Sequence, residues 1–210
     1  MTIRIIHKKN FFQNIATKPQ PWQSNYLSMY SSQWQGITTD PDLMVIPIDD
    51  HLVHRGDGGF DVMRCVQGRI YQQEEHLARL EQTARSIALE LPDEYAQVRA
   101  LIEAAVVIGG GKECLIRITL SRGPGSFSAN PYDAPSSRMY INVIRFKAPP
   151  IQFYQKGTTL ITSKLPPKSA FFASIKSCNY LPNALMKKEA IDAGVDYAVA
   201  LDEDGFLAEG

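Results

Sequence analysis

Charge of one sign, long apolar runs and paired cysteines are all scarce in this chain of 210 residues. Its 22 basic and 22 acidic side chains cancel, which leaves no electrostatic footing for nucleic acid or an anionic membrane. No apolar stretch approaches the roughly 20 residues of a membrane-spanning helix. The basic N-terminus, MTIRIIHKKNFFQNIATKPQPW, lacks a continuous apolar core and makes a poor secretory signal. Cys65, Cys114 and Cys178 are odd in number and widely spaced. That argues against a zinc ribbon or a disulfide framework and predicts a reduced, cytoplasmic setting. His51 and His54 flank the run DDHLVHRGD without the paired spacing of a metal site, and no metal is expected.

What is present is enough apolar material, 44% of residues, to bury one large core or two small ones. Residues 1–45, rich in Ser, Tyr and Gln, read as an irregular arm. FDVMRCV and RIYQ read as two strands turning at Gln67-Gly68. In EEHLARLEQTARSIALEL, the apolar residues Leu77, Leu80, Ala84, Ile87 and Leu91 predict a helix with one apolar stripe, which His76 adjoins. A second helix is expected from Pro92-Asp93 to Ile108, stopped by three glycines. CLIRITLS and RMYINVIRF read as strands around the aperiodic loop 122–137.

KAPPIQF, residues 147–153, reads as a linker because two prolines block regular structure. Beyond it come a strand in GTTLITS, a helix from about Pro182 to Ala193 and a hairpin turning on Asp204-Gly205. The pattern predicts an α+β chain of two domains, 46–146 and 154–210.

The stretch ASIKSCNYLPNALMKKEA carries Lys176 among Ser174, Ser177, Cys178, Asn179 and Tyr180, with no charged neighbour before Lys187. Lysine becomes a nucleophile when its ammonium form is disfavoured. A setting of small polar groups suits a Schiff base with a carbonyl substrate or with pyridoxal phosphate, and equally a partly exposed lysine at a strand end. A pyridoxal phosphate site also needs an anion holder and a carboxylate facing the ring nitrogen. Arg79 beside the helix stripe and Glu209 in the last hairpin are residues of those types.

Taken together, GDGGFDVMRCVQGRIYQQEEHLARLEQTA and IKSCNYLPNALMKKEAIDAGVDYAVALDEDGFLAEG resemble the class IV aminotransferases, the fold-type IV pyridoxal phosphate enzymes. That group includes branched-chain and D-amino acid aminotransferases and aminodeoxychorismate lyase. The resemblance covers about residues 49–210. It implies pyridoxal 5'-phosphate as cofactor, amino acid and 2-oxo acid substrates, and a homodimer to which the loop 122–137 contributes. It implies that Lys176 forms the internal aldimine and shuttles the proton, that Arg79 grips the phosphate and that Glu209 pairs with the ring nitrogen. It places Tyr180 near the phenolic oxygen and Phe60 in the substrate pocket.

Departures from the family pattern bear on substrate. Where D-amino acid members carry an arginine and a histidine after the RG of the loop, this chain has Phe127 and Ala129. Arg117 is kept from the branched-chain pattern, but Leu115 replaces the tyrosine before it. Arg55 stands near a family pocket tyrosine, where a cation either binds a carboxylate or forms a loop ion pair. LIRITLSRGPG also resembles the lyases. A branched-chain-like transaminase is therefore expected, with a lyase as the alternative and a non-catalytic relative as the rival class. In the family the chain continues past the glutamate into phosphate-binding turns, so a truncated C-terminal domain is expected here.

Overall fold

The computed structural model describes residues 20–209; residues 1–19, the start of the expected arm, and Gly210 lie outside the described residues. Its main body is a six-stranded antiparallel sheet covered on one face by two helices. The strands are β1 (Tyr26–Ser31), β2 (Gly36–Thr38), β3 (Gly58–Val66), β4 (Arg69–Ile70), β5 (Glu113–Ser121) and β6 (Arg138–Arg145), in the spatial order β2-β1-β6-β5-β3-β4. A short helix α1 (His51–Arg55) precedes β3, and α2 (Gln73–Ser86) and α3 (Val98–Ile108) lie between β4 and β5.

The alternation of apolar residues decides which face is covered. Ile116, Ile118 and Leu120 of β5 and Met139, Ile141 and Val143 of β6 pack with Leu77 and Leu80 of α2 and Ile102 of α3 in one continuous core. The other face carries Phe60, Arg117, Thr119, Tyr140 and Asn142, aligned through the register Phe60↔Thr119↔Tyr140 and Val62↔Arg117↔Asn142. That face borders the candidate site.

The expected turn at Gln67-Gly68 forms, with both residues at positive φ (50° and 79°), the conformation of a two-residue hairpin. Three expectations are corrected. Part of the arm is ordered, because β1 pairs with β6 in the main sheet. Its polar residues bury at little cost where their hydroxyls are satisfied: Ser28 Oγ donates to Ala105 O at 2.7 Å. The helix α2 stops at Ser86 rather than reaching Leu91. Ala88 takes φ 48°, Leu89 turns back into the core, and Leu91 is exposed. Arg122 fixes that end by donating to the carbonyls of Ile87 and Ala88 while paired with Asp57. Finally, the last three residues of KAPPIQF are helical: α4 (Ile151–Lys156) starts directly after Pro150, where a missing N–H costs nothing.

A second, smaller sheet follows. It comprises β7 (Leu160–Thr162), β8 (Tyr197–Leu201) and β9 (Leu207–Glu209), with β7 parallel and β9 antiparallel to β8. The parallel pair requires a crossover, which holds α5 (Ala170–Ala173) and α6 (Leu181–Asp192). Met186 and Ala190 of α6 pack on Ala198 and Ala200 of β8. Pro182 lies in the first turn of α6, and Gly194 just past its end has φ 67°. The architecture is α+β.

Candidate functional site

The segment bearing Lys176 is joined to the main sheet by its backbone. Phe60 N donates to Lys176 O at 3.0 Å and Cys178 N to Gly58 O at 2.9 Å, with Gly59 and Ser177 bridging as an antiparallel pair. From the α2 side, Thr83 Oγ1 accepts from Lys176 N at 3.4 Å. The glycines of GDGGF permit this approach: a Cβ at Gly59 would run into the Thr83 methyl, and Gly56, at φ 67°, lies against Asn179.

Lys176 is isolated in sequence but not in space. Its Nζ lies 4.6 Å from the centroid of the buried Phe60 ring, and the Arg117 guanidinium lies 3.7 Å from the same centroid. Tyr180, at the start of α6, meets Phe60 edge-on with centroids 5.1 Å apart. Lys168 Nζ lies 5.3 Å from the Tyr180 ring and 3.1 Å from Glu209 Oε1. Among the described residues no carboxylate lies within ion-pair range of Lys176 Nζ. Cys178 is partly buried; burial pushes its thiol up to about 11, against the pull of the Arg117 charge and hydrogen bond.

Glu209 is held from two sides. Burial alone would raise its pKa, but hydrogen bonds from Asn183 and Lys168 and the charges of Lys168 and Lys176 outweigh it and hold the carboxyl below its ordinary value. Phe60, Arg117, Lys176, Tyr180 and Glu209 thus form one chain of contacts and fields. Arg117 also lines a cavity of about 270 Å³ with Tyr26, Met44 and Asn142.

Arg79 sits elsewhere on the α2 face of β3. Its Nε and Nη2 fork onto the buried Asp61 at 2.7 and 2.8 Å, and His76 Nδ1 lies 2.8 Å from the same carboxylate. Burial works to raise Asp61, yet the bonds from Arg79, His76 and Val62 N, with the Arg79 charge, carry its pKa below the ordinary value. Arg79 Nη1 has no partner among the described residues. Among the described residues no contact joins Arg55 to the Lys176 cluster: its Nη2 lies 3.0 Å from His51 Nε2, and its buried Nε has no partner there.

Sequence reading missed Asp61, Thr83, Lys168 and Asn183. An Asp inside an otherwise apolar strand, with Arg79 and His76 on the next helix, is the one local signal that points to such a cluster.

Residues 58–210 match the family Amino-transferase class IV, and the chain belongs to that family. Among curated relatives, it is 38% identical over 187 residues to a chloroplastic D-amino-acid transaminase of Arabidopsis thaliana, covering 88% of this chain and 49% of that protein. It is 28% identical to a putative branched-chain-amino-acid aminotransferase of Methanocaldococcus jannaschii, over 79% of this chain and 57% of the relative. The chain thus spans roughly half the length of the curated relatives it matches. A solved branched-chain amino acid aminotransferase from T.th., with pyridoxamine 5'-phosphate, superposes with a TM-score of 0.78 at 25% identity, covering 87% of this chain and 62% of that one.

Proposed function

We propose that this chain carries the lysine, anion-holding arginine and ring-facing carboxylate of a pyridoxal 5'-phosphate-dependent aminotransferase. The observation that supports it best is Lys176 itself. Its Nζ stands over Phe60 with no carboxylate partner among the described residues, while Glu209, whose carboxyl feels the Lys176 charge, is engaged by Lys168 and Asn183. A lysine so placed is free to react with an aldehyde.

The residues fit the cofactor on this structure's own terms. Glu209, its carboxyl held below the ordinary value by its hydrogen bonds and nearby charges, has one oxygen, Oε2, without a partner among the described residues; the buried Asn183 Oδ1 likewise has none there. Arg79 keeps Nη1 for a phosphate oxygen while Asp61 fixes the guanidinium plane. When bound, pyridoxal phosphate supplies an aldehyde carbon and a ring that withdraws electrons. Lys176 Nζ holds the reacting position and carries the proton, with the buried Phe60 ring against it lining the substrate side and Tyr180 available to hydrogen-bond the phenolic oxygen. Glu209 presents negative charge to the ring nitrogen. Arg117 and Arg55 are the cations available to a substrate carboxylate, Arg117 from the open sheet face and Arg55 from the end of α1.

In this reading residues 46–146 and 154–210 belong to two domains joined near 147–153, the second contributing most of the cofactor contacts. Substrates are an amino acid and a 2-oxo acid, with branched-chain-like side chains favoured because Arg117 is kept and Phe127 and Ala129 offer no carboxylate trap. A lyase reading has its own support in the resemblance to an aminodeoxychorismate lyase of Bacillus subtilis, 25% identical over 81% of this chain. Absorbance with pyridoxal phosphate, its loss on borohydride, and turnover of an amino acid panel with 2-oxoglutarate beside an aminodeoxychorismate assay decide among transaminase, lyase and a non-catalytic relative. No band and no turnover would refute an enzyme.

The loop 122–137 exposes Phe127 and Tyr132, at 68% and 90%, and is the proposed contribution to a homodimer. A monomer by sedimentation with full activity would refute that. Three free thiols fit a reduced, cytoplasmic setting, testable by fractionation. Among the described residues no helix is long and apolar enough to cross a membrane.

A further inference from the structure

We infer that Lys168, with Asn183, is a positioning residue for Glu209: the two donors take one carboxylate oxygen and leave the other to face the cofactor ring nitrogen. This rests on the proposed role of Glu209. Lys168 Nζ and Asn183 Nδ2 both reach Oε1, at 3.1 and 2.9 Å, and neither reaches Oε2. Two donors on one oxygen restrict rotation of the carboxylate about its last bond, so the free oxygen has a defined direction.

Lys168 is not an ordinary surface lysine. Its side chain is 17% exposed, against 68% for Lys188 in its surface pair with Asp192, and its ammonium also lies over the Tyr180 ring. It comes from the irregular stretch between β7 and α5, so a long side chain is drawn inward from a segment with no helix or strand to impose that direction. Asn183 is fixed from the other side. A carboxylate accepts only from the amide nitrogen, which determines the orientation of the Asn183 amide and leaves its oxygen buried without a partner.

The groups facing Glu209 are therefore Lys168 from that stretch, Asn183 from α6 and the charge of Lys176 from the segment before α6. With Lys168 retained, the carboxylate is oriented before any ring arrives. Tyr180 is then shared: its ring contacts Phe60 on the Lys176 side and Lys168 on the Glu209 side. The nucleophile and the ring-facing acid are coupled through that one residue.

The test compares dissociation constants of pyridoxal phosphate and of its 1-deaza analogue, which lacks the ring nitrogen, for the full chain and its variants. Lys168→Met should weaken pyridoxal phosphate about fivefold to tenfold, as expected for a charged hydrogen bond at a partly exposed carboxylate, and leave the deaza analogue within about twofold. Lys168→Arg should restore the difference between the probes. Should Lys168→Met fail to fold, Lys168→Gln gives the same comparison. Equal weakening of both probes, or no weakening of either, overturns the inference. Glu209→Gln separates the two levels: if it too leaves the probes indistinguishable, the role of Glu209 itself is wrong. If it discriminates and Lys168→Met does not, only the positioning role fails.

Discussion

Asp61→Asn is the perturbation whose consequences follow most directly from the structure. Asp61 is fully buried and accepts from Arg79 Nε and Nη2, His76 Nδ1 and Val62 N, at 2.7, 2.8, 2.8 and 2.7 Å. An asparagine keeps the shape but has one acceptor oxygen, and its amide nitrogen meets the donors of Arg79 or His76. Breaking a buried pair by altering one partner costs about 3–5 kcal/mol when both members are buried. Arg79 is 56% exposed, so water rescues much of its charge and the expected loss is roughly 2–3 kcal/mol. The pH dependence carries the sign. The pKa of Asp61 is lowered in the fold. Its contribution is therefore complete above the unfolded value of about 3.9 and is lost as pH falls through the lower, folded value. Urea unfolding of the protein and of Asp61→Asn should differ by the full amount near about pH 7, with the gap closing below about pH 3.9. A gap that is absent at neutral pH, or unchanged in acid, would refute the assignment of Asp61 as an ionised anchor for Arg79.

Arg79→Ala should weaken retention of pyridoxal phosphate by roughly 2–3 kcal/mol, with little effect on turnover at saturating cofactor, because a phosphate contact stabilises ground and transition states alike. An unchanged dissociation constant would mean that another group holds the phosphate. Gly59→Ala places a methyl against Thr83, where β3, α2 and the Lys176 segment meet. Thermal unfolding should show a loss of about 1–3 kcal/mol together with weaker cofactor binding, the cost of overpacking at a close approach. A wild-type melting curve would show that the junction has room.

The local turn and strand signals were legible: Gln67-Gly68 set a hairpin, and alternation identified β5 and β6. The roles proposed for Lys176, Arg79 and Glu209 rest on the family resemblance; of the three, Lys176 is the one its neighbours single out, a run of small polar residues without a charge. The strand β1 was hidden because its Ser and Tyr side chains resemble loop composition, and the bond of Ser28 to α3 and the backbone pairing with β6 are long-range facts. The end of α2 was misplaced because Arg122 fixes it from 34 and 35 residues away in sequence. Lys168 and Asn183 escaped for the same reason: they meet Glu209 across 41 and 26 residues, beyond any periodicity. The apparent solitude of Lys176 was a property of the sequence. In the fold it stands near Arg117 and Phe60, while Glu209 is held by Lys168 and Asn183.

Whether Lys176 is the cofactor lysine is open to one direct measurement. The protein is loaded with pyridoxal phosphate, reduced with borohydride, digested and mapped by mass. The account predicts a single phosphopyridoxyl group on Lys176 Nζ, absent from Lys176→Ala treated in the same way. Attachment to Lys168, the other lysine of the cluster, or labelling scattered over surface lysines and unchanged in Lys176→Ala, would contradict it.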